Sequence, residues 1–186
     1  MRCSEMAENL NKSDNDSEID KCVKGYEEAL ALGNLEDAVN IIESCLSKNP
    51  ESPVLWNIKG MLAELLSNYD DALDCYNKAI SFNPKFIDAL KNKAKLLTHL
   101  QRYEEAIKVY DALLEINSND ANFWCEKGVA LTTLDKYDDA EPCFKRALEL
   151  NEKLSDAWYG LGLVFEHKGN KEEAERCFKK AKETST

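Results

Sequence analysis

The chain is short of turn residues: glycine and proline together supply 11 of its 186 positions, about half the average share. That leaves too little turn chemistry for an all-β sandwich or barrel, in which turns recur along the whole chain. Basic residues are also scarce, 24 Lys and Arg against 35 Asp and Glu, for a net charge of -11. The deficit argues against nucleic acid as a partner, because phosphate contacts need clustered Lys and Arg. No stretch approaches the roughly 18 apolar residues that cross a bilayer, and Met1 to Leu10 carries Glu5 and Glu8 where a signal peptide would be apolar. The expectation is a cytoplasmic protein, neither exported nor embedded in a membrane. Seven cysteines are an odd number, lie far apart and form no C-x-x-C pair, which fits free thiols in a reducing compartment.

Hydrophobic residues make up 44% of the chain, enough to build a core. Ala and Leu outnumber Val, Ile and Thr by 41 to 19, a balance that favours helix. One internal period runs throughout. Ala38, Ala72, Ala106, Ala140 and Ala174 are spaced by 34 residues, and four residues after each stands Ile42, Tyr76, Tyr110, Phe144 or Phe178. Two acids precede each alanine, from Glu36-Asp37 to Glu172-Glu173, as suits the positive end of a helix beginning there. Upstream the same period recovers Trp56, Leu90, Trp124 and Trp158, each followed four residues on by Gly60, Ala94, Gly128 or Gly162. A small residue at that place lets a second helix approach closely. Each unit is therefore a helical hairpin, with repeats at residues 19–52, 53–86, 87–120, 121–154 and 155–186. A simple bundle of Ala-rich helices has no reason to hold such a period.

These residues resemble the tetratricopeptide repeat, whose 34-residue pattern is W-x2-L-G-x2-Y, then A-x3-F, then P. The fifth unit reads Trp158-x2-Leu161-Gly162-x2-Phe165 and then Ala174-x3-Phe178, lacking only the terminal proline. The first unit departs most, with Cys22 in place of Trp and Gly25-Tyr26 in place of Leu-Gly, a degeneracy that a capping unit tolerates. The resemblance implies an all-α fold, a right-handed α-solenoid of five helix-turn-helix hairpins. Because one hairpin cannot bury its apolar face alone, the ends of such an array should be wet. Ile80, Leu114 and Leu148 give way to Lys182, and Phe82, Ile116 and Leu150 to Thr184, so the array is expected to end with this chain. Pro142 falls early in a second helix, where it removes one backbone bond at modest cost. Residues 1–18 carry a net charge of -3 and few apolar side chains, and are expected to form an acidic disordered tail. A short helix from Ser4 to Leu10 docked on the first unit is the alternative.

The inventory for catalysis is poor, and the expectation is a protein that is not an enzyme. His99 and His167 stand two units apart, roughly 20 Å by the size of helical hairpins, too far to share a proton. Cys75, Cys143 and Cys177 share one place just before the aromatic and read as packing residues. Gly160-Leu161-Gly162 lies within a helix with no strand before it, unlike a phosphate loop. No zinc-ligand spacing or cofactor motif occurs, so neither metal nor cofactor is expected.

The resemblance further implies that the first helices of successive units line a groove that takes a peptide or a helix of a partner protein. Its places hold Val54, Asn57, Ile58, Met61 and Leu65 in unit two, and Asp88, Lys91, Asn92, Lys95 and His99 in unit three. Unit four supplies Asn122, Cys125, Glu126, Val129 and Thr133, and unit five Asp156, Tyr159, Gly160, Leu163 and His167. The candidate binding residues are Asn57, Met61, Leu65, Lys91, Asn92, Lys95, Cys125, Glu126 and Tyr159. Lys91 and Lys95 lie one helical turn apart and would favour an acidic partner. Two groove signatures of the family fail: no frame of the carboxylate clamp matches more than one residue, and the asparagine-ladder places read Lys24, Ile58, Asn92, Glu126 and Gly160. The leading expectation is a scaffold or adaptor. A second is a homo-oligomer joined through Cys22, Val23 and Tyr26, and an enzyme built on Cys125 is a third.

Overall fold

The computed structural model describes the backbone of residues 2–185 and the side chains of residues 17–185. The acidic tail expected over residues 1–18 thus falls, apart from Ser17 and Glu18, outside the described side chains. Ten helices follow in order: α1 (Arg2–Ala31), α2 (Leu35–Lys48), α3 (Pro53–Leu65), α4 (Tyr69–Phe82), α5 (Ile87–His99), α6 (Tyr103–Ile116), α7 (Ala121–Thr133), α8 (Tyr137–Leu150), α9 (Ser155–His167) and α10 (Lys171–Thr184). From α3 onward each first helix starts 34 residues after the last, and so does each second helix. The paired acids occupy the first turn of α2, α4, α6, α8 and α10, where they face the helix's positive end. Ser52 and Asp120 cap α3 and α7 by accepting hydrogen bonds from the amides of Leu55 and Asn122.

Each hairpin turn repeats one backbone device. Gly33, Ser67, Gln101, Asp135 and Gly169, again 34 apart, all adopt positive φ, between 57° and 76°. The next amide along the chain reaches back into the first helix, as Asn34 does to the Ala29 carbonyl at 2.9 Å. This closes the first helix and turns the chain into the second. Between hairpins a different bond recurs: the indole Nε1 of Trp56, Trp124 and Trp158 donates to the carbonyl six residues earlier, that of Pro50, Ser118 and Glu152, at 2.7 to 2.9 Å. The tryptophan thereby pins the linker to the helix in which it stands.

Two compact units, residues 1–89 and 90–186, divide the chain. In the first, Tyr26, Ile42, Leu46, Leu55 and Leu62 form the centre of a core shared by α1, α2 and α3. α4 closes on α3 through Tyr76, which is fully buried against Gly60; a Cβ at Gly60 would lie 2.5 Å from the ring. In the second unit Phe144, Leu161 and Val164 centre the core. A Cβ at Gly128 would lie 2.8 Å from Phe144, and one at Gly162 2.5 Å from Phe178. The small residues required by the sequence pattern are thus the seats of the aromatic rings. α8 runs on through Pro142 without a break.

Cysteine pairing differs from the sequence expectation. Cys22 and Cys45 form a disulfide across the first hairpin, while Cys75, Cys125, Cys143 and Cys177 are buried free thiols. The physical reason lies in the repeat: Cys22 takes the tryptophan place of helix α1, and Cys45 takes the place held by Ala79, Ala147 and Ala181 in later units. The bond spans a sequence separation of 23, and closing such a loop removes about 3 kcal/mol of unfolded-chain entropy. Cys22→Ser is therefore expected to destabilise the first hairpin by up to about 3 kcal/mol in urea unfolding without reductant. Dithiothreitol should abolish the difference, and an equal difference in both buffers would deny the bond any role.

Candidate protein-binding groove

The candidate residues fall in both units. In the first, Asn57 is buried at 7% exposure and its amide donates to the Met61 sulfur at 3.8 Å. Met61 and Leu65, one turn apart on α3, are 41% and 58% exposed. They form an apolar stripe that the core does not use. The self-association residues fare differently: Cys22 is bonded to Cys45, and Tyr26 is buried in the core of its own hairpin.

In the second unit the first helices α5, α7 and α9 supply the rest. Lys91 and Asn92 are half-buried and Lys95 is exposed on α5. Cys125 is buried at 5% exposure beside the exposed Glu126 on α7, and Tyr159 on α9 is 55% exposed. Between α7 and α9 lies a cleft of about 430 Å³ lined by Cys125, Glu126, Val129, Thr132, Thr133, Phe144, Asp156, Tyr159, Gly160 and Leu163. Val129 is 40% exposed there. Tyr159 and Leu163 also border a second cleft of about 780 Å³ against Phe178, Ala181 and Lys182, and the Tyr159 and Phe178 rings meet with centroids 5.5 Å apart. Sequence reasoning missed this second cleft. Its signal was present, since Phe178 stands one period after Phe144, the ring on which α9 sits.

Gly160 lines the first cleft. Its place holds Glu126 in α7, Asn92 in α5 and Ile58 in α3, and a side chain on α9 would overlap the Phe144 ring. The Gly160-Leu161-Gly162 run is thereby explained by packing, one glycine against Phe144 and the other against Phe178. Among the described residues, no group of His, Cys, Asp and Glu is placed to hold a metal ion, and no helix is long and apolar enough to cross a membrane.

Charge in this unit is organised around Glu126. Loss of water raises its carboxyl above the ordinary carboxylate range, Lys95 opposes the rise, Asp156 adds to it, and a hydrogen bond from the Tyr110 hydroxyl opposes it. Burial above all pushes Tyr110 up to about 12, so it stays the donor of that bond. Cys125 is likewise pushed up to about 12, first by burial and then by Glu126 and Asp156. Its sulfur is a protonated thiol at neutral pH, the opposite of an activated nucleophile. Lys95 thus acts on Glu126 through its charge, and the Lys91/Lys95 pair is less isolated than the sequence implies.

A raised carboxyl pKa in the folded state means that the folded chain holds its proton more tightly than the unfolded chain. Stability from this group is therefore lost as pH rises from the ordinary carboxylate value, about 4, through the folded value. Wild type should lose stability relative to Glu126→Gln as pH is raised from about 4 through the folded-state value, in urea unfolding. A difference that does not change with pH above about 4 would show that the charge is not disfavoured.

The comparisons with known proteins agree with this architecture. Models described as tetratricopeptide repeat match residues 53–86, 75–108 and 125–185, and one described as TPR repeat matches 94–135. No curated protein sequence matches the chain. Among solved structures it is similar to "MamA RS-1 ArsTM double mutant", with 18% identity, 90% of this chain and 94% of that one covered, and a TM-score of 0.81. "MamA 41-end from Desulfovibrio magneticus RS-1" gives 18% identity, coverage of 90% and 95%, and a TM-score of 0.80. "MamA MSR-1 C2" gives 23% identity, coverage of 92% and 97%, and a TM-score of 0.73. Likeness at such identities speaks for the fold alone. With its period, its ring-on-glycine hairpins and its matched repeats in agreement, the all-α chain belongs to the tetratricopeptide repeat family as an α-solenoid.

Proposed function

We propose that the chain is a protein-interaction scaffold that holds a peptide or helical segment of a partner protein along the first helices of its hairpins. The observation that carries the reading is that α5, α7 and α9 leave Lys95, Glu126, Val129 and Tyr159 exposed while α6 and α8 bury Tyr110 and Phe144. Large apolar and charged groups left together in water on one set of helices are what a binding surface requires. Tyr159 has the profile of an anchor, an aromatic ring with a polar tip. Lys91 and Lys95 would meet acidic side chains of the segment, and Met61 and Leu65 offer a separate apolar stripe in the first unit.

The test is affinity capture from the source organism's lysate, comparing wild type with Tyr159→Ala and with Lys91→Glu/Lys95→Glu, each checked by circular dichroism. A partner held by wild type should be lost at least about tenfold with Tyr159→Ala, the cost of about 1.4 kcal/mol expected for an anchor. Equal capture by both folded variants would remove the second unit's groove from the function.

A further inference from the structure

The cleft between α7 and α9 has properties that the repeat pattern does not impose. Its volume of about 430 Å³ lies within the range of about 300–1,000 Å³ typical of sites that enclose a ligand. Its apolar walls are Val129, Tyr159 and Leu163, and the Phe144 ring and Gly160 lie behind them. The places of Tyr159 and Gly160 hold Cys125 and Glu126 in α7, and Lys91 and Asn92 in α5. These side chains change from unit to unit, so they are characters of this chain and not of the frame. Two carboxyl groups, Glu126 and Asp156, line the same cleft. Lys95 on α5 acts on Glu126 and offsets one of the two negative charges.

Whatever enters meets apolar walls and a remaining negative charge. An acidic residue would bring a third carboxylate beside Glu126 and Asp156, whereas a basic one would relieve the repulsion between them. The long stem of Lys or Arg can lie along Val129 and Tyr159 while its head stays wet. We infer that this cleft seats an aliphatic side chain of the partner's segment together with an adjacent lysine or arginine that pairs with Glu126 and Asp156. The inference rests on the groove reading and adds the chemistry of the partner at one place in it.

The test uses the full chain, immobilised, to select from a phage-displayed library of random peptides. Synthetic versions of the enriched sequences are then titrated by fluorescence anisotropy. Wild type is compared with the near-isosteric Glu126→Gln/Asp156→Asn, with Tyr159→Ala and with Lys91→Glu/Lys95→Glu, all checked for folding. Enriched peptides should carry Leu, Ile or Met beside Lys or Arg. They should lose about tenfold or more in affinity on Glu126→Gln/Asp156→Asn and weaken as salt is raised. Acidic peptides that lose binding only on Lys91→Glu/Lys95→Glu would overturn the inference and leave the groove reading standing. Peptides indifferent to all three variants, or no enrichment, would overturn both.

Discussion

Three of the later hairpins in this chain close on an aromatic ring of the second helix laid against a glycine of the first. Tyr76 on Gly60, Phe144 on Gly128 and Phe178 on Gly162 repeat the contact at one spacing. The ring is a large apolar group for a short hairpin to bury, and the glycine lets it lie close enough to exclude water. The connections between helices serve that close approach. The positive-φ turn sets the second helix antiparallel to the first, and the tryptophan indole fixes where the next hairpin begins. Phe144 carries the principle furthest, because Gly160 of the next hairpin presses on the same ring from another helix.

The second helices bring the aromatic rings to the core, and the first helices carry, beside their own core residues, the exposed Met61, Leu65, Val129 and Tyr159. Stability and recognition draw on different places: those of the alanine and the aromatic ring hardly vary in kind, while one first-helix place changes from Asn57 and Cys125, both buried, to the half-buried Lys91 and the exposed Tyr159. Gly160 joins the two roles. It is needed where it is by the Phe144 ring, and it lines the cleft that Tyr159, Val129 and Leu163 wall.

Periodicity made the fold legible, because each buried place recurs and a single arithmetic relation finds them all. The helix starts at Pro53, Ile87, Ala121 and Ser155 stand where that relation places the repeats. Features that occur once escaped it. The Cys22–Cys45 bond joins two exceptions to the pattern, and neither cysteine signals the other across 23 residues. The turn residues Ser67, Gln101 and Asp135 hold a left-handed backbone without being glycine, so their type gave no sign of it. In the groove, spacing located the side chains but not their environment. It placed Cys125 and Asn57 at the surface where both are buried, and it read Lys95 without the Glu126 carboxyl on α7 whose proton its charge opposes. Charge balance in a cleft depends on several helices together, which a pattern along one chain does not encode.

The most direct measurement of the ring-on-glycine constraint is a double-mutant cycle on Gly160→Ala and Phe144→Leu, read by urea unfolding. Alanine in a helix interior gains about 1 kcal/mol over glycine from propensity alone, so any net loss must come from packing. Gly160→Ala is expected to cost about 1–3 kcal/mol in the wild type and much less beside the smaller Phe144→Leu side chain. The same cost in both backgrounds would contradict the constraint.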